Sequence, residues 1–218
     1  MTVFENSRAD EQHALKLGVV LLAAGASSRM GRPKLLLPWG ETTVLGHLVE
    51  QWTRLETEHL AVVCAVADHT VQAELDRLSF PWHDRILNST PAAGMFSSIQ
   101  CAARWAGWKP GLSHWAIVLG DQPHLRRETL RRLVEFAGEH PQAVCQPSRA
   151  GRPRHPVVLP TEIFRELKDS TEENLKIFLQ HASVQSALGE LDDPGLDLDI
   201  DHPADYEKAL QLFAKQTG

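Results

Sequence analysis

Residues 17–34 read LGVVLLAAGASSRMGRPK, an apolar run followed at once by small, hydroxyl and cationic residues. The apolar run Leu17–Leu22 predicts a first, buried strand. The segment after it holds two glycines and the cations Arg29, Arg32 and Lys34. This pattern favours a buried strand that opens into an anion-binding loop, although a tight surface turn with cations at its edge would have the same composition.

Further apolar runs alternate with segments of helical periodicity along the rest of the chain. The later predicted strands are Leu60–Val66, Arg85–Leu87, Trp115–Leu119, Ala143–Gln146 and Pro156–Leu159. The predicted helices are Val44–Leu55, Val71–Leu78, Phe96–Ala106, Glu128–Gly138, one from a capping box at Ser170 and Glu173 through Leu179, and one from Pro203 to about Phe213. This alternation indicates an α/β fold with a mostly parallel sheet. Residues 16–218 are expected to form one domain, and residues 1–15 a loose N-terminal extension.

The composition of the 218 residues excludes several classes of protein. Hydrophobic residues make up 43% of the chain and the net charge is −6, so no overall basic field would attract nucleic acid. No apolar run reaches the roughly 18 residues of a membrane span, and the polar N-terminus has no signal-peptide core. Three isolated cysteines suit reduced thiols. We therefore expect a cytoplasmic protein without nucleic-acid or membrane partners.

A second polar loop, residues 120–123 (GDQP), follows the predicted strand that ends at Leu119. Ligands of open α/β sheets bind beyond the carboxyl ends of strands, so this loop and the loop after the first strand are the candidate site. Arg29 can bind phosphate oxygens through two parallel hydrogen bonds, and Lys34 adds a point charge. Asp121 can hold Mg²⁺ against phosphate oxygens, or it can form an Asx-turn without a metal.

The segment LDLDID, residues 196–201, offers a second acid for the same ion. Asp199 and Asp201 alternate along it, so both carboxylates can face one side of an extended chain. Asp201 could instead cap the helix that begins near Pro203. Asp205 falls in the first turn of that helix, where an acid is favoured by the helix dipole.

Residues 146–156, QPSRAGRPRHP, form a basic cluster in the second half of the chain. Arg149, Arg152 and Arg154 can receive an anionic acceptor, with His155 holding its phosphate or a ring edge. A solvated basic hairpin would have the same sequence. Both interpretations stay open on the residues alone.

Residues 22–40, LAAGASSRMGRPKLLLPWG, resemble the signature loop of the MobA-like nucleotidyltransferases, and most closely that of the MocA branch, the molybdenum cofactor cytidylyltransferases. The resemblance continues at residues 94–98 (GMFSS), 119–123 (LGDQP) and 199–206 (DIDHPADY). It implies a three-layer Rossmann-like nucleotidyltransferase fold with a mostly parallel sheet. It also implies a Mg²⁺-dependent enzyme that transfers CMP from CTP to a molybdopterin-type acceptor and releases pyrophosphate.

The resemblance further implies roles for single residues. The implied nucleotide-binding residues are Ala23, Ala24, Gly25, Ser27, Ser28, Gly94 and Ser98. The implied catalytic residues are Arg29, Lys34 and Asp121, and the implied metal ligands are Asp121 and Asp201. The implied acceptor-binding residues are Arg152, Arg154 and His155.

The chain departs from the family pattern on the acceptor side. Arg154 stands where the family usually has glycine, and residues 168–174 (KDSTEEN) replace the pattern Gly-Asp-x-Gly-Ala-Arg. Three alternatives therefore stay open. The enzyme could use GTP, it could use a sugar or polyol phosphate as acceptor, or the protein could be a non-catalytic carrier that hands finished cofactor to a molybdenum hydroxylase client.

Overall fold

The computed structural model describes residues 15–217 except Ala26, Glu56 and Ser183, and it leaves out the side chains of Ser28 and Thr217. The predicted extension, residues 1–15, lies outside the described residues apart from its last position. Within the described range the chain forms an eight-stranded sheet and a separate two-stranded hairpin.

The strands of the described chain are numbered in sequence order. They are β1 (Leu17–Leu22), β2 (Pro38–Trp39), β3 (Thr42–Thr43), β4 (His59–Ala65), β5 (Arg85–Asn88), β6 (His114–Leu119), β7 (Val144–Arg149), β8 (Arg152–Pro153), β9 (Val157–Pro160) and β10 (Ser186–Glu190). The main sheet has the order β10-β7-β9-β6-β1-β4-β5, and β8 pairs with β7. β9 is antiparallel to β6 and β7, whereas β1 pairs in parallel with β4 and β6. β6 and β7 therefore point the same way, and their carboxyl ends lie at one edge.

β1 lies in the middle of the sheet, and all six of its residues are buried. Successive side chains of a strand point to opposite faces. Val19 and Leu21 join the apolar cluster on one face, and Val20 and Leu22 join the cluster on the other. A strand that must fill two cores has to be apolar at every position, which is what the sequence shows.

Seven helices of the described chain cover the two faces of the sheet. They are α1 (Val44–Thr53), α2 (His69–Arg77), α3 (Met95–Arg104), α4 (Arg127–Glu139), α5 (Thr161–Glu166), α6 (Leu175–His181) and α7 (Pro203–Thr217). Apolar residues of α1, α2, α4 and α7 belong to one cluster, and those of α3, α5 and α6 belong to the other. This arrangement confirms the predicted three-layer α/β fold with a mostly parallel sheet. No helix of the described chain is both long and apolar enough to cross a bilayer.

The predicted start of α6 was wrong. The helix is capped by Asn174, whose side chain accepts a hydrogen bond from the amide of Ile177. Ser170 forms a local turn instead, because its hydroxyl accepts from the nearby amide of Glu172 at 3.2 Å. Serine favours such turns as readily as helix caps, so the spacing from Ser170 to Glu173 does not by itself place a helix.

Gly120 sets how closely the turn after β6 approaches β1. A Cβ atom at this position would lie 2.6 Å from the carbonyl oxygen of Leu22 and 2.9 Å from Cδ2 of Leu35. A backbone carbonyl in a buried strand cannot retreat as a flexible side chain can. Glycine is therefore required for the turn to pass over the end of β1.

We expect Gly120→Ala to lower the free energy of unfolding by about 1–3 kcal/mol, the usual effect of overpacking. Gly138→Ala in α4 is the matched control, because a Cβ there would meet no heavy atom of the described residues within 4 Å, apart from the neighbouring backbone of its own helix. Alanine favours a helix over glycine by up to about 1 kcal/mol, so this control should be neutral or stabilising. Denaturant unfolding followed by circular dichroism measures both variants. Equal stabilities would contradict the steric argument.

Candidate functional site

A cavity of about 690 Å³ opens at the carboxyl edge of the sheet. Its lining residues are drawn from 22–25 and 34–35 after β1, 65–68 after β4, 91–98 at the start of α3, and 119–121 after β6. The volume is typical of sites for small molecules. The two loops that the sequence singled out therefore border one cavity.

Four of the residues predicted to bind nucleotide line this cavity: Ala24, Gly25, Gly94 and Ser98. Ala23 is buried beside them, and its amide donates to the Val63 carbonyl oxygen at 2.7 Å. Small residues leave the backbone accessible on this wall, so its amides and carbonyls can contact a ligand directly.

Ser27 shapes the loop between the cavity and Lys34. It adopts a left-handed backbone conformation, with φ of 49° and ψ of 25°. Its hydroxyl oxygen accepts a hydrogen bond from the Lys34 amide at 3.1 Å, which links the two ends of this loop. The predicted contact of the Ser28 side chain lies outside the described residues.

Asn88 is a residue of this site that the sequence analysis missed. It is fully buried at the end of β5, and its Nδ2 donates to Oγ of Ser97 at 2.9 Å and to Oγ of Ser98 at 3.0 Å. Gly94 precedes them with φ of 92°, which residues with a side chain rarely adopt. Together they fix the first turn of α3 against the cavity. A polar residue closing a buried run was the only signal for Asn88 in the sequence.

Two cations and two acids meet where the cavity borders the turn after β6. Nζ of Lys34 lies 2.8 Å from Oδ2 of Asp121 and 3.8 Å from Oδ1 of Asp201. It also donates to the Ile200 carbonyl oxygen at 3.3 Å. Nη2 of Arg29 donates to the same Asp201 oxygen at 2.9 Å. The structure thus brings together all four residues that were predicted to hold phosphate and metal, and they neutralise one another.

The two ion pairs differ in exposure. The side chains of Lys34 and Asp121 are 15% and 19% exposed, whereas that of Arg29 is 62% exposed. An exposed pair contributes little stability because water and salt screen it. Lys34 and Asp121 therefore form the fixed part of the site, and Arg29 is free to change its partner.

The segment 199–201, which carries Asp199 and Asp201, is hydrogen-bonded through its backbone to the turn after β6. The amide of Ile200 donates to the Asp121 carbonyl oxygen at 3.1 Å. Asp199 accepts from Nε2 of Gln122 at 2.9 Å, and its pKa is raised, first by desolvation and then by the charge of Asp121. Asp201 contacts Arg29 and Lys34, while Asp205 accepts from the His202 amide at the start of α7.

The donor set at this centre suits a divalent cation. Oδ1 of Asp121 is buried and has no hydrogen-bond partner among the described residues, so it has a lone pair to give. Among the described residues, no group of three or more acidic, histidine or cysteine side chains is placed to hold a metal alone. Two carboxylates completed by substrate oxygens and water are the usual way in which proteins hold Mg²⁺.

The residues predicted to bind the acceptor lie beyond β6, around the β7–β8 hairpin. Arg152 is exposed on β8, whereas Arg154 contacts Asp197. Among the described residues, Nδ1 of His155 is buried without a hydrogen-bond partner. Burial lowers the pKa of His155, and a hydrogen bond to the Ile117 backbone and the charge of Asp121 act in the opposite direction.

Residues 19–189 match the family model described as the MobA-like NTP transferase domain. The chain is similar to the molybdenum cofactor guanylyltransferase of Mesorhizobium japonicum, with 28% identity over 212 residues that cover 91% of this chain and 97% of that protein. It is also similar to the molybdenum cofactor cytidylyltransferase of Escherichia coli, with 24% identity over 204 residues that cover 90% and 96%.

Another relative is longer than this chain. The bifunctional protein GlmU of Cereibacter sphaeroides is 29% identical over 178 residues, which cover 77% of this chain and 37% of that protein. Among solved structures, Rv0371c from Mycobacterium tuberculosis is 26% identical with a TM-score of 0.69, covering 91% of this chain and 99% of that one. A structure of Rv0371c in complex with manganese has a TM-score of 0.64 at 24% identity, covering 90% and 98%.

Proposed function

The chain belongs to the MobA-like NTP transferase family, and we propose that it transfers CMP from CTP to the phosphate of a molybdopterin-type acceptor, with release of pyrophosphate. The observation that carries the proposal is the meeting of Arg29 and Lys34 with Asp121 and Asp201 at the border of the cavity. Cations for a triphosphate and acids for a metal are the two things that nucleotidyl transfer requires.

The preference for cytosine rests on the resemblance of residues 22–40 to the cytidylyltransferase branch. The Escherichia coli relative is a cytidylyltransferase. The Mesorhizobium japonicum relative is a guanylyltransferase, so GTP is the alternative donor. A sugar or polyol phosphate is the alternative acceptor, because the acceptor side departs from the family pattern at Arg154.

The reaction needs little covalent chemistry from the protein. An oxygen of the acceptor phosphate forms a bond to the α-phosphorus of the nucleotide while the bond from that phosphorus to the bridging oxygen breaks, and pyrophosphate leaves. The acceptor phosphate is already an anion, so no base has to activate it. Catalysis then consists of aligning the reactants and stabilising charge. In this proposal Lys34 and Arg29 hold the triphosphate and the departing pyrophosphate.

We assign Asp121 and Asp201 as the residues that would hold a divalent cation, with Mg²⁺ preferred. When bound, such an ion would supply positive charge that stabilises the phosphate groups of the nucleotide. The unpartnered Asp121 oxygen supports this assignment, as does the manganese complex of the mycobacterial protein.

The direct test of the proposal is a screen of the four nucleoside triphosphates against candidate acceptors, with released pyrophosphate as the readout. We expect release with CTP and the molybdopterin-type acceptor, and only when a divalent cation is present. Release with a different acceptor would support the proposed nucleotidyl transfer but replace the molybdopterin-type acceptor by the one that reacts. Tight binding of finished dinucleotide cofactor without pyrophosphate release under any condition would show a carrier and overturn the proposal.

Lys34→Met separates two consequences of the Lys34 contacts. Removal of a preorganised charge contact usually lowers turnover by roughly 10²-fold or more, so we expect a loss of that size in pyrophosphate release. The ammonium also lies against both acids, so a metal ion without nucleotide has to displace it. Binding of Mn²⁺ alone, followed by electron paramagnetic resonance, should therefore become tighter in the variant. Near-normal turnover in a folded variant would contradict the assignment of Lys34.

Asp121→Asn and Asp201→Asn should each raise the metal concentration that is needed for half-maximal turnover. If both residues hold one ion, the double variant should lose less turnover than the product of the single losses. Asp199→Asn is the matched control, because asparagine keeps the oxygen that accepts from Gln122. A wild-type metal dependence in Asp201→Asn would leave Asp201 only as a partner of Arg29 and Lys34 and make Asp199 the next candidate.

A further inference from the structure

Arg149 and Arg154 belong to a second cluster of charged side chains at the carboxyl edge of the sheet. Nε and Nη2 of Arg154 donate to Oδ1 of Asp197 at 2.9 and 2.5 Å, and Nη1 of Arg149 donates to its Oδ2. These hydrogen bonds, with that of Arg154 the larger influence, hold the pKa of Asp197 below its usual value. Two guanidinium groups share one carboxylate, so the trio keeps one net positive charge.

The hairpin that carries both arginines is held by another residue. Glu190 of β10 accepts from the Ser148 hydroxyl at 2.6 Å and from the Ala150 amide at 2.7 Å. Because Glu190 ties down the turn between β7 and β8, the arginines do not depend on Asp197 for their place in the fold.

The 3-10 turn that carries Asp197 is also held independently. Asp193 accepts from the Gly195 amide at 2.9 Å and from the Thr129 hydroxyl at 2.7 Å, and Leu196 is buried in the core. The Asp197 side chain itself is 36% exposed. It can turn into solvent without unpacking either segment, so its contact with the arginines is separable from the fold.

The position of this trio suits an acceptor. The cavity is lined from β1 and β4 on one side of β6, whereas β7 lies on the other side, beyond β9. Asp197 stands four residues before Asp201, and the Ile200 amide between them binds the backbone of Asp121. Asp121 and Asp201 therefore lie between the cavity and the paired arginines along the edge of the sheet.

We propose that Arg149 and Arg154 form a subsite for a dianionic phosphate monoester and that Asp197 occupies it until the phosphate displaces the carboxylate. A carboxylate neutralises one of the two guanidinium charges. A phosphate dianion neutralises both, and it offers three acceptor oxygens to the N–H groups of the two arginines. Nε of Arg149 is buried with no hydrogen-bond partner in the part of the chain that the structure describes, so the carboxylate leaves a donor unused. The identification of this phosphate with the acceptor's rests on the proposed function, whereas the anion site does not.

The competition with Asp197 also gives selectivity. A carboxylate on a ligand would bind the two arginines no more strongly than the Asp197 carboxylate that it has to displace. Asp197 is also always next to the arginines, so such a ligand has no advantage. Only a ligand with more negative charge or more acceptor oxygens can displace Asp197 from the arginines. The subsite should therefore reject carboxylate acceptors and accept phosphate esters. Arg154 stands where the family usually has glycine, so this exchange belongs to this chain and not to the family pattern.

The test is the affinity for inorganic phosphate, measured by titration calorimetry near pH 8, where phosphate is a dianion. Asp197→Asn should bind phosphate on the order of tenfold more tightly than the wild type, the size expected when one charge-assisted competitor is removed. The gain should disappear in the double variant with Arg154→Ala. Phosphate that bound only near Lys34 would respond to neither change. Asp197→Ser serves as the second variant if the asparagine variant does not fold.

Glu128→Gln is the matched control, because Glu128 also accepts from two arginines, Arg131 and Arg132, on the exposed face of α4. Its phosphate affinity should equal that of the wild type. Equal gains in Glu128→Gln and Asp197→Asn would reveal a general charge effect and overturn the inference, as would no gain at Asp197. A gain at Asp197 without pyrophosphate release from any acceptor would retain the anion site and reject the proposed reaction instead.

Discussion

The contact between the Lys34 ammonium and the Asp121 carboxylate, 2.8 Å long, is the interaction on which the site depends. Both side chains are largely withdrawn from water, and a charge in such a place is costly without a partner. Each residue therefore restricts where the other's loop can lie. The contact fixes the loop after β1 against the turn after β6, and with them the border of the cavity.

The fold supplies this contact through the pairing of two neighbouring strands. Leu22 at the end of β1 pairs with Leu119 at the end of β6, so the loops that follow the two strands begin side by side at the edge of the sheet. Gly120 then allows the second loop to pass over the first. The strand ends cannot shift, since their side chains fill the cores on both faces of the sheet. A rigid edge of this kind is what a site needs to hold charges at fixed separations.

The parts that sequence could predict are those that follow from local pattern. β1 was predicted with its bounds because six consecutive apolar residues have one good solution, a strand buried on both faces. β10 was missed because its side chains alternate between exposed and half-buried, so it has no apolar run. The pairing of Arg154 with Asp197 was also beyond reach, since it joins residues 43 positions apart and depends on the turns that Glu190 and Asp193 hold. Local pattern finds the strands and loops, and tertiary contacts decide which charges meet.

Under the proposed function, ligands bind at the site by exchange of charged partners and not by filling a positive patch. The chain carries a net charge of −6, and the two cations of the centre are matched by two acids. A triphosphate alone would leave the acids unpaired, and a metal ion alone would face the Lys34 ammonium. A metal–nucleotide complex offers each group a new partner at once, so it is the ligand that this arrangement favours. The same argument applies to the proposed phosphate subsite, where the Asp197 carboxylate pairs with two arginines and a stronger anion would displace it. Both proposed subsites would thus use internal charges to exclude ligands that match them only in part.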